Sequence, residues 1–186
     1  MKLAYSFILG IMAAISAMII EFVFISFMAG ENFLDEKFFN HLTSPLIAAI
    51  IIEEALKLFF IFWATRELQE RKAVIFSALA IGLGFSSIEI IFIISKLFSV
   101  QAGELLNIFG VFIIHIVTAG FIGYILAVSR NIFWAGIMAF ALAVLLHLGY
   151  NSLVIYNFPL AYLYAFLALL TVVFYFLSKK VISKID

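Results

Sequence analysis

Long apolar segments, separated by short charged breaks, run along nearly the whole chain. Each is about as long as the roughly 20 residues that an α-helix needs to cross a bilayer. Both prolines, Pro45 and Pro159, fall at predicted helix starts, where a missing N–H costs nothing, so no helix is interrupted by proline. The pattern predicts six transmembrane helices, at residues 3–29, 45–65, 73–97, 105–128, 132–156 and 159–177.

Composition supports an all-α, polytopic membrane protein. Of the 186 residues, 67% are hydrophobic and 12% are charged, and the mean hydropathy is +1.25. A soluble domain has about a quarter of its residues charged. Six helices use up the length, so we expect one membrane domain over residues 1–186, and the first apolar run is too long for a cleaved signal peptide. A net charge of zero gives no support for nucleic acid as a partner.

Basic residues collect on one side of the predicted bundle. Because cytoplasmic loops carry an excess of Lys and Arg, we expect both termini to be cytoplasmic. The connection at 30–44, which contains Glu31, Asp35, Glu36 and His41, would then face outward. The predicted cytoplasmic side carries Lys2, Arg66, Arg71, Lys72, Arg130, Lys179, Lys180 and Lys184, and the other side carries Lys37 and Lys96.

Ionisable residues also lie inside the predicted helices, where each is costly and usually marks a functional site. Counted from the outer helix ends at about 1.5 Å per residue, the carboxylates and imidazoles lie about 12 to 15 Å deep. Since four antiparallel helices place them in one layer, we expect a single composite site. The polar set comprises Glu53, Glu54 and Lys57 on the second helix, Glu89 on the third, His115 on the fourth, and His147 and Asn151 on the fifth, while Glu21 on the first helix reaches the same depth.

The charges of this set restrict its chemistry. Lys57 follows Glu53 by four residues and Glu54 by three, so it suits the role of counter-ion to one of them. Three carboxylates and one ammonium leave two excess negative charges, which protonated glutamates, imidazolium at His115 or His147, or a divalent cation would neutralise. A glutamate that takes a proton from water, with imidazole and amide donors for an oxyanion, is suited to peptide hydrolysis. The absence of cysteine excludes thiolate chemistry.

Four short motifs follow one another on the second to fifth predicted helices. They are Glu53-Glu54-x-x-Lys57, Phe85-x-x-x-Glu89, His115 with Thr118, Gly120 and Gly123, and His147-x-x-x-Asn151. In this order they resemble the motifs of the PrsW-type intramembrane proteases, which are similar to the CAAX-processing and bacteriocin-processing proteases. The CAAX-processing branch usually has His where this chain has the glutamate of the second motif.

The resemblance implies a membrane-embedded endopeptidase in the cytoplasmic membrane of a prokaryote, acting on a membrane-tethered protein such as an anti-sigma factor. Carried over position by position, Glu53 would be the water-activating base and Glu54 its partner, although spacing alone leaves their order open. Asn151 would assist the oxyanion. On this hypothesis the enzyme is of a glutamic type and needs no cofactor and no metal. The predicted catalytic set is Glu53, Glu54, Glu89, His115, His147 and Asn151.

Three other interpretations stay open. His and Glu are good zinc ligands, so a zinc-dependent intramembrane metalloprotease is the second hypothesis, ranked lower because no H-E-x-x-H spacing is present. A proton-coupled transporter would also place Glu and His inside a bundle, but transporters commonly show broken helices and internal repeats. A non-enzymatic scaffold would use the polar layer only to set helix register.

Overall fold

Six α-helices make up most of the described chain. The computed structural model describes residues 3–29, 44–96 and 102–182. The connection predicted to face outward lies outside these ranges up to residue 43, as do Lys2, Lys37 and Lys184. The helices are α1 (Leu3–Ala29), α2 (Ser44–Thr65), α3 (Arg71–Lys96), α4 (Ala102–Val128), α5 (Ile132–Ile155) and α6 (Leu160–Ile182).

The helix ends agree with the predicted apolar segments to within three residues, except at the end of α6. This helix continues to Ile182, whereas its predicted end is residue 177. Lys179 and Lys180 end the apolar run but are good helix formers, and basic side chains in a last turn interact favourably with the helix dipole. Hydrophobicity therefore locates the apolar part of a helix and misses an extension beyond it.

The outside of the bundle is covered by large hydrophobic side chains. Phe133 and Leu145, for example, are 67% and 65% exposed. Soluble proteins rarely expose such continuous apolar surface, and helices that are apolar on all sides belong in a core or a membrane. Within the described ranges, five helices are long and apolar enough to cross a membrane. The exception is α2, because three charged residues occupy its middle.

Close backbone contacts hold α3 between α1 and α4. A Cβ at Gly82 would lie 2.7 Å from the main-chain oxygen of His115 on α4. A Cβ at Gly84 would collide with the main-chain oxygen of Phe7 on α1. Only glycine allows the backbones to approach this closely, and such small residues are the usual basis of helix packing in lipid. The α3–α4 contact also sets the position of His115 relative to α3.

Clear capping interactions mark both ends of α5, the helix that carries His147. Before the helix, the side-chain oxygen of Asn131 accepts hydrogen bonds from two N–H groups of the first turn, at 3.1 and 3.3 Å. After it, Asn157 adopts a left-handed φ of 51°. The N–H groups of Asn157 and Phe158 bond back to carbonyls of the last turn at 3.1 and 3.0 Å, which is a Schellman motif. Pro159 follows directly.

Candidate active site and metal centre

Four helices bring ionisable side chains into one buried cluster. Depth counted along the sequence predicts a shared layer, and in the structure the carboxylates, ammonium and imidazoles that α2 to α5 contribute to it are in contact. Thr118 joins them from α4. The cluster consists of Glu53, Glu54 and Lys57 from α2, Glu89 from α3, His115 and Thr118 from α4, and His147 from α5.

Glu54 and Lys57 form a buried ion pair that also holds His147. Lys57 Nζ donates to Glu54 Oε1 at 2.5 Å, and neither side chain has exposed surface. His147 Nδ1 lies 2.7 Å from the same carboxylate oxygen. Since an ionised carboxylate only accepts, Nδ1 is the donor, and Nε2 of a neutral ring keeps its lone pair. A carboxylate bonded to one ring nitrogen in this way is the usual support of a metal-binding histidine.

Lys57 also reaches across to α4. Its Nζ lies 2.9 Å from His115 Nδ1 and 3.2 Å from Thr118 Oγ1. Together with Glu54, these groups provide one acceptor for each of the three ammonium protons. Because Nδ1 accepts from Lys57, a neutral His115 ring carries its proton on Nε2, which contacts the Glu89 carboxylate. One lysine thus sets the orientation of the His115 ring.

Two residues of the motifs had no predicted role in the site. The Phe85 ring lies 4.9 Å from the ring of His115 and 4.9 Å from Lys57 Nζ, so it covers the ammonium with an aromatic face. Thr118, which belongs to the third motif, accepts a hydrogen bond from Lys57. Spacing could have indicated both, because Phe85 precedes Glu89 by four residues and Thr118 follows His115 by three.

Glu53 and Glu89 face a cavity of about 260 Å³ between α1, α2 and α3, which Glu21 also lines. Glu53 Oε2 comes no nearer to His147 Nδ1 than 3.6 Å, and Glu89 touches His115 without the geometry of a hydrogen bond. Their side chains are 15% and 29% exposed, whereas Glu54 is fully buried. Glu53 and Glu89 are therefore the carboxylates that a substrate or water could reach.

Several buried polar atoms at the site have no hydrogen-bond partner among the described residues. They are Glu21 Oε1, Glu53 Oε2, Glu54 Oε2, Glu89 Oε2 and His115 Nε2, of which the last two are in contact with each other. An unpaired buried polar group costs about 1–3 kcal/mol, so this concentration of them indicates a ligand-binding site. Possible ligand atoms of Glu53, His115 and His147 all lie within 4.8 Å of one another. One carboxylate and two imidazoles are a donor set that fits a divalent ion such as zinc.

Comparison with known families agrees with this geometry. Residues 1–178 match the family described as "PrsW family intramembrane metalloprotease". The chain belongs to the PrsW family. The resemblance drawn from the four motifs is thereby confirmed, and this PrsW-family protein is an integral membrane protease. No curated protein and no solved structure gives a significant match.

The prediction of an enzyme without cofactor or metal is wrong, because the PrsW family is one of metalloproteases. The metalloprotease hypothesis was ranked lower because the sequence lacks an H-E-x-x-H spacing. That spacing serves sites in which one helix supplies two ligands, whereas Glu53, His115 and His147 come from three helices. No short motif can reveal such a set. Membership of a protease family also removes the support for the transporter and scaffold interpretations.

No hydrogen bond or ion pair among the described residues joins Asn151 to the cluster. It lies one turn beyond His147 on α5 and is half-buried, and no described residue makes a hydrogen bond to its side chain. It does not line the cavity beside Glu53 and Glu89, whereas Glu21, to which the sequence assigned no role, does. The oxyanion role of Asn151 stays a prediction.

Proposed function

We propose that this PrsW-family protein hydrolyses a peptide bond of a membrane-tethered protein, using a water molecule activated by a glutamate. The proposal rests on one observation. The group formed by Glu53, His115 and His147 lies beside a second carboxylate that faces the same cavity, Glu89. Zinc proteases of other folds combine the same elements, namely a set of two His and one Glu as ligands and a further Glu as base.

Glu53, His115 and His147 would hold the divalent ion, and His115 would give up either its contact with Lys57 or its ring proton to free a lone pair for it. Such an ion supplies Lewis-acid chemistry, which polarises a carbonyl oxygen and activates water. Glu54 orients His147 through its bond to Nδ1, and Lys57 in turn holds Glu54. Glu54 is then a positioning residue. The burial of Glu54 and the exposure of Glu53 to the cavity support Glu53 as the member of the pair that takes part in the reaction.

Glu89 is the proposed general base. Because Glu53 would serve as a ligand, the proton acceptor is assigned to the other carboxylate on the cavity, which revises the role expected for Glu53. Glu89 takes a proton from water as the water oxygen bonds to the carbonyl carbon. It returns that proton to the amine nitrogen as the C–N bond breaks. Asn151, one turn beyond His147, is the proposed donor to the oxyanion.

We place this reaction in the outer half of a prokaryotic cytoplasmic membrane. The charges of α2 are held inside the bundle by partners, which supports α2 as a sixth crossing. The basic residues at Arg66, Arg71, Lys72 and Arg130 favour a cytoplasmic position for both termini. The substrate would be a membrane-anchored protein with a single span, such as an anti-sigma factor.

Two matched substitutions test the roles of the glutamates. Wild type, Glu53→Gln and Glu89→Gln are purified in detergent, loaded with zinc and incubated with a panel of single-span substrates, and bound zinc is measured by mass spectrometry. Glu53→Gln is expected to lose both zinc and cleavage. Glu89→Gln is expected to keep stoichiometric zinc while kcat falls about 100-fold or more, as for the loss of a general base.

The control is Glu67→Gln, whose side chain is 83% exposed and which should change neither zinc content nor kcat. Zinc loss in Glu89→Gln with retention in Glu53→Gln would reverse the two roles. Wild-type activity in both variants would refute the site. Failure of the zinc-loaded wild type to cleave any substrate in the panel would refute the proposed function.

A further inference from the structure

The cavity beside the cluster is larger than the activation of one water molecule requires. Its volume is about 260 Å³, well above the roughly 30 Å³ that one water molecule takes up in the liquid. The buried ring of His115, 1% exposed, contacts Glu89 on the cavity wall through Nε2. The wall combines three carboxylates, from Glu21, Glu53 and Glu89, with apolar side chains that include Ala14, Ala17 and Met18.

The packing of α1 on α3 creates this space. A Cβ at Gly10 or Gly84 would collide with the backbone of the facing helix, so the two helices are in tight contact at that level. On the next turns of α1, Ala14 and Ala17 are buried against Phe85, and their short side chains form part of the cavity wall. The cavity is therefore a consequence of small residues on α1, with Glu21 one turn beyond Ala17.

Glu21 has no cationic partner among the described side chains of the cluster. Its buried Oε1 makes no hydrogen bond to any described residue. Lys57 is the cation that the described side chains contribute to the cluster, and its three protons already have acceptors. With all four carboxylates ionised, Glu21, Glu53, Glu54 and Glu89 would carry four negative charges against one ammonium. A divalent ion held by Glu53 and two neutral imidazoles would still leave one negative charge, and Glu21 is the carboxylate to which the cluster assigns no other group.

We propose that the cavity binds the side chain of a lysine or arginine next to the scissile bond of the substrate, with Glu21 as its anionic partner. This inference rests on the proposed function. An alkyl stem would lie along the apolar wall of α1 while the charged head reaches the carboxylate. A cation is tolerated in such a buried site only when an anion pairs with it. Because Glu53 and Glu89 belong to both the cavity and the reaction site, the bound residue lies immediately beside the bond that is cut.

Substrates that differ in one side chain test this specificity. Single-span substrates carry Lys, Arg or Met at each position flanking the scissile bond, since Met keeps the long stem without the charge. Wild type is expected to cleave the Lys and Arg substrates with the higher kcat/KM. In Glu21→Gln, kcat/KM for the Lys substrate relative to the Met substrate should fall roughly 30-fold. This is the lower end of the effect expected when one partner of a buried charge pair is removed. The loss should appear in KM, as for uniform binding, and Glu67→Gln should keep the wild-type ratio.

A second measurement does not depend on catalysis. The chain contains no cysteine, so a Cys introduced at Met18, on the cavity wall, is labelled alone. The zinc-loaded Met18→Cys protein is treated with methanethiosulfonate reagents that carry either a trimethylammonium or a sulfonate group. The cationic reagent should react at least about tenfold faster, as expected for a cleft lined by one sign of charge. Met18→Cys/Glu21→Gln should lose this preference, whereas Met18→Cys/Glu67→Gln should keep it.

The outcomes separate this proposal from the proposed function. Cleavage without a preference for Lys or Arg, or a preference that Glu21→Gln leaves intact, would overturn the specificity assigned to Glu21 while the protease assignment stands. Equal labelling by the two reagents would also overturn it. Charge-selective labelling that depends on Glu21, in a protein that cleaves no substrate, would support the cation-binding cavity and refute the proposed protease chemistry.

Discussion

Lys57 has no exposed surface although it carries a charge in the middle of a helix bundle. A buried ammonium is tolerated only with partners, and Lys57 has three, the Glu54 carboxylate, His115 Nδ1 and Thr118 Oγ1, at 2.5, 2.9 and 3.2 Å. Through these contacts it connects α2 to α4, and through Glu54 it acts on His147 of α5. At the scale of single residues, one side chain therefore positions both imidazoles.

Replacing Lys57 by Met should destabilise the protein strongly, because Glu54 remains as a buried charge without its counter-ion. We expect the free energy of unfolding to fall by about 3–5 kcal/mol. The double variant Lys57→Met/Glu54→Gln should be more stable than the single one, since the unpaired charge is removed. Unfolding in mixed micelles, followed by tryptophan fluorescence, measures both changes.

The matched control is Lys72→Met, since the Lys72 side chain is 46% exposed and this substitution should leave the unfolding free energy unchanged. A Lys57→Met protein as stable as the wild type would contradict the role given to the buried ion pair. Stability that is equal in the single and double variants would show that the unpaired Glu54 charge is not the cause of the loss.

At the scale of whole helices, the contact between α3 and α4 determines where His115 lies. The Gly82 backbone sits against the main-chain oxygen of His115, so α3 can approach α4 only while residue 82 has no Cβ. In lipid, where apolar surface gains nothing by leaving the solvent, this close packing is a main source of helix association. The geometry of the proposed ligand group thus depends on Gly82, a residue outside that group.

Gly82→Ala should therefore weaken both the fold and the metal site. A Cβ there would lie within 3.0 Å of backbone and side-chain atoms of α4, so the helices must move apart. We expect a loss of about 1–3 kcal/mol in unfolding free energy, as for overpacked cores, together with weaker zinc binding.

Gly136→Ala is the control, because a Cβ at Gly136 meets nothing within 4 Å. It should be neutral or add up to about 1 kcal/mol through higher helix propensity. Calorimetric titration with zinc and unfolding in micelles measure these effects, and equal behaviour of the two variants would contradict the account.

At the scale of the molecule, the proposed metal ligands join α2, α4 and α5. An ion that binds only the folded protein raises its stability, by about 2.7 kcal/mol at a free concentration 100 times Kd. We expect zinc to raise the midpoint of thermal unfolding in detergent, and a chelator to lower it and to abolish cleavage until zinc is returned. Glu53→Gln should show no zinc-dependent rise. Identical midpoints for the wild type with zinc and with chelator would argue against an ion shared by three helices.

That the ionisable side chains of four helices come together at one level could be predicted from the sequence, because a helix rises by about 1.5 Å per residue through a slab of fixed thickness. The assignment of roles within that layer could not. Glu53 and Glu54 are neighbours on α2, so their side chains point about 100° apart, and either could face the reaction. Which one meets Lys57 and His147 depends on how α2 is rotated against α4 and α5. Whether Glu21 belongs to the site could not be predicted for the same reason. No second polar residue on α1 at that depth indicates which face of the helix is turned toward the bundle interior.

The sequence by itself determined the membrane class, the positions of the helices and the family. Lipid leaves the backbone no alternative to helix or closed barrel, and motifs of a few residues keep their spacing whatever the helices pack against. Only the tertiary structure decided that Glu54 is enclosed by Lys57 and His147 while Glu53 and Glu89 open onto a cavity with Glu21. These relations depend on helix rotation and crossing, which contacts between distant residues such as Gly82 and His115 control, and no local pattern along the chain encodes them.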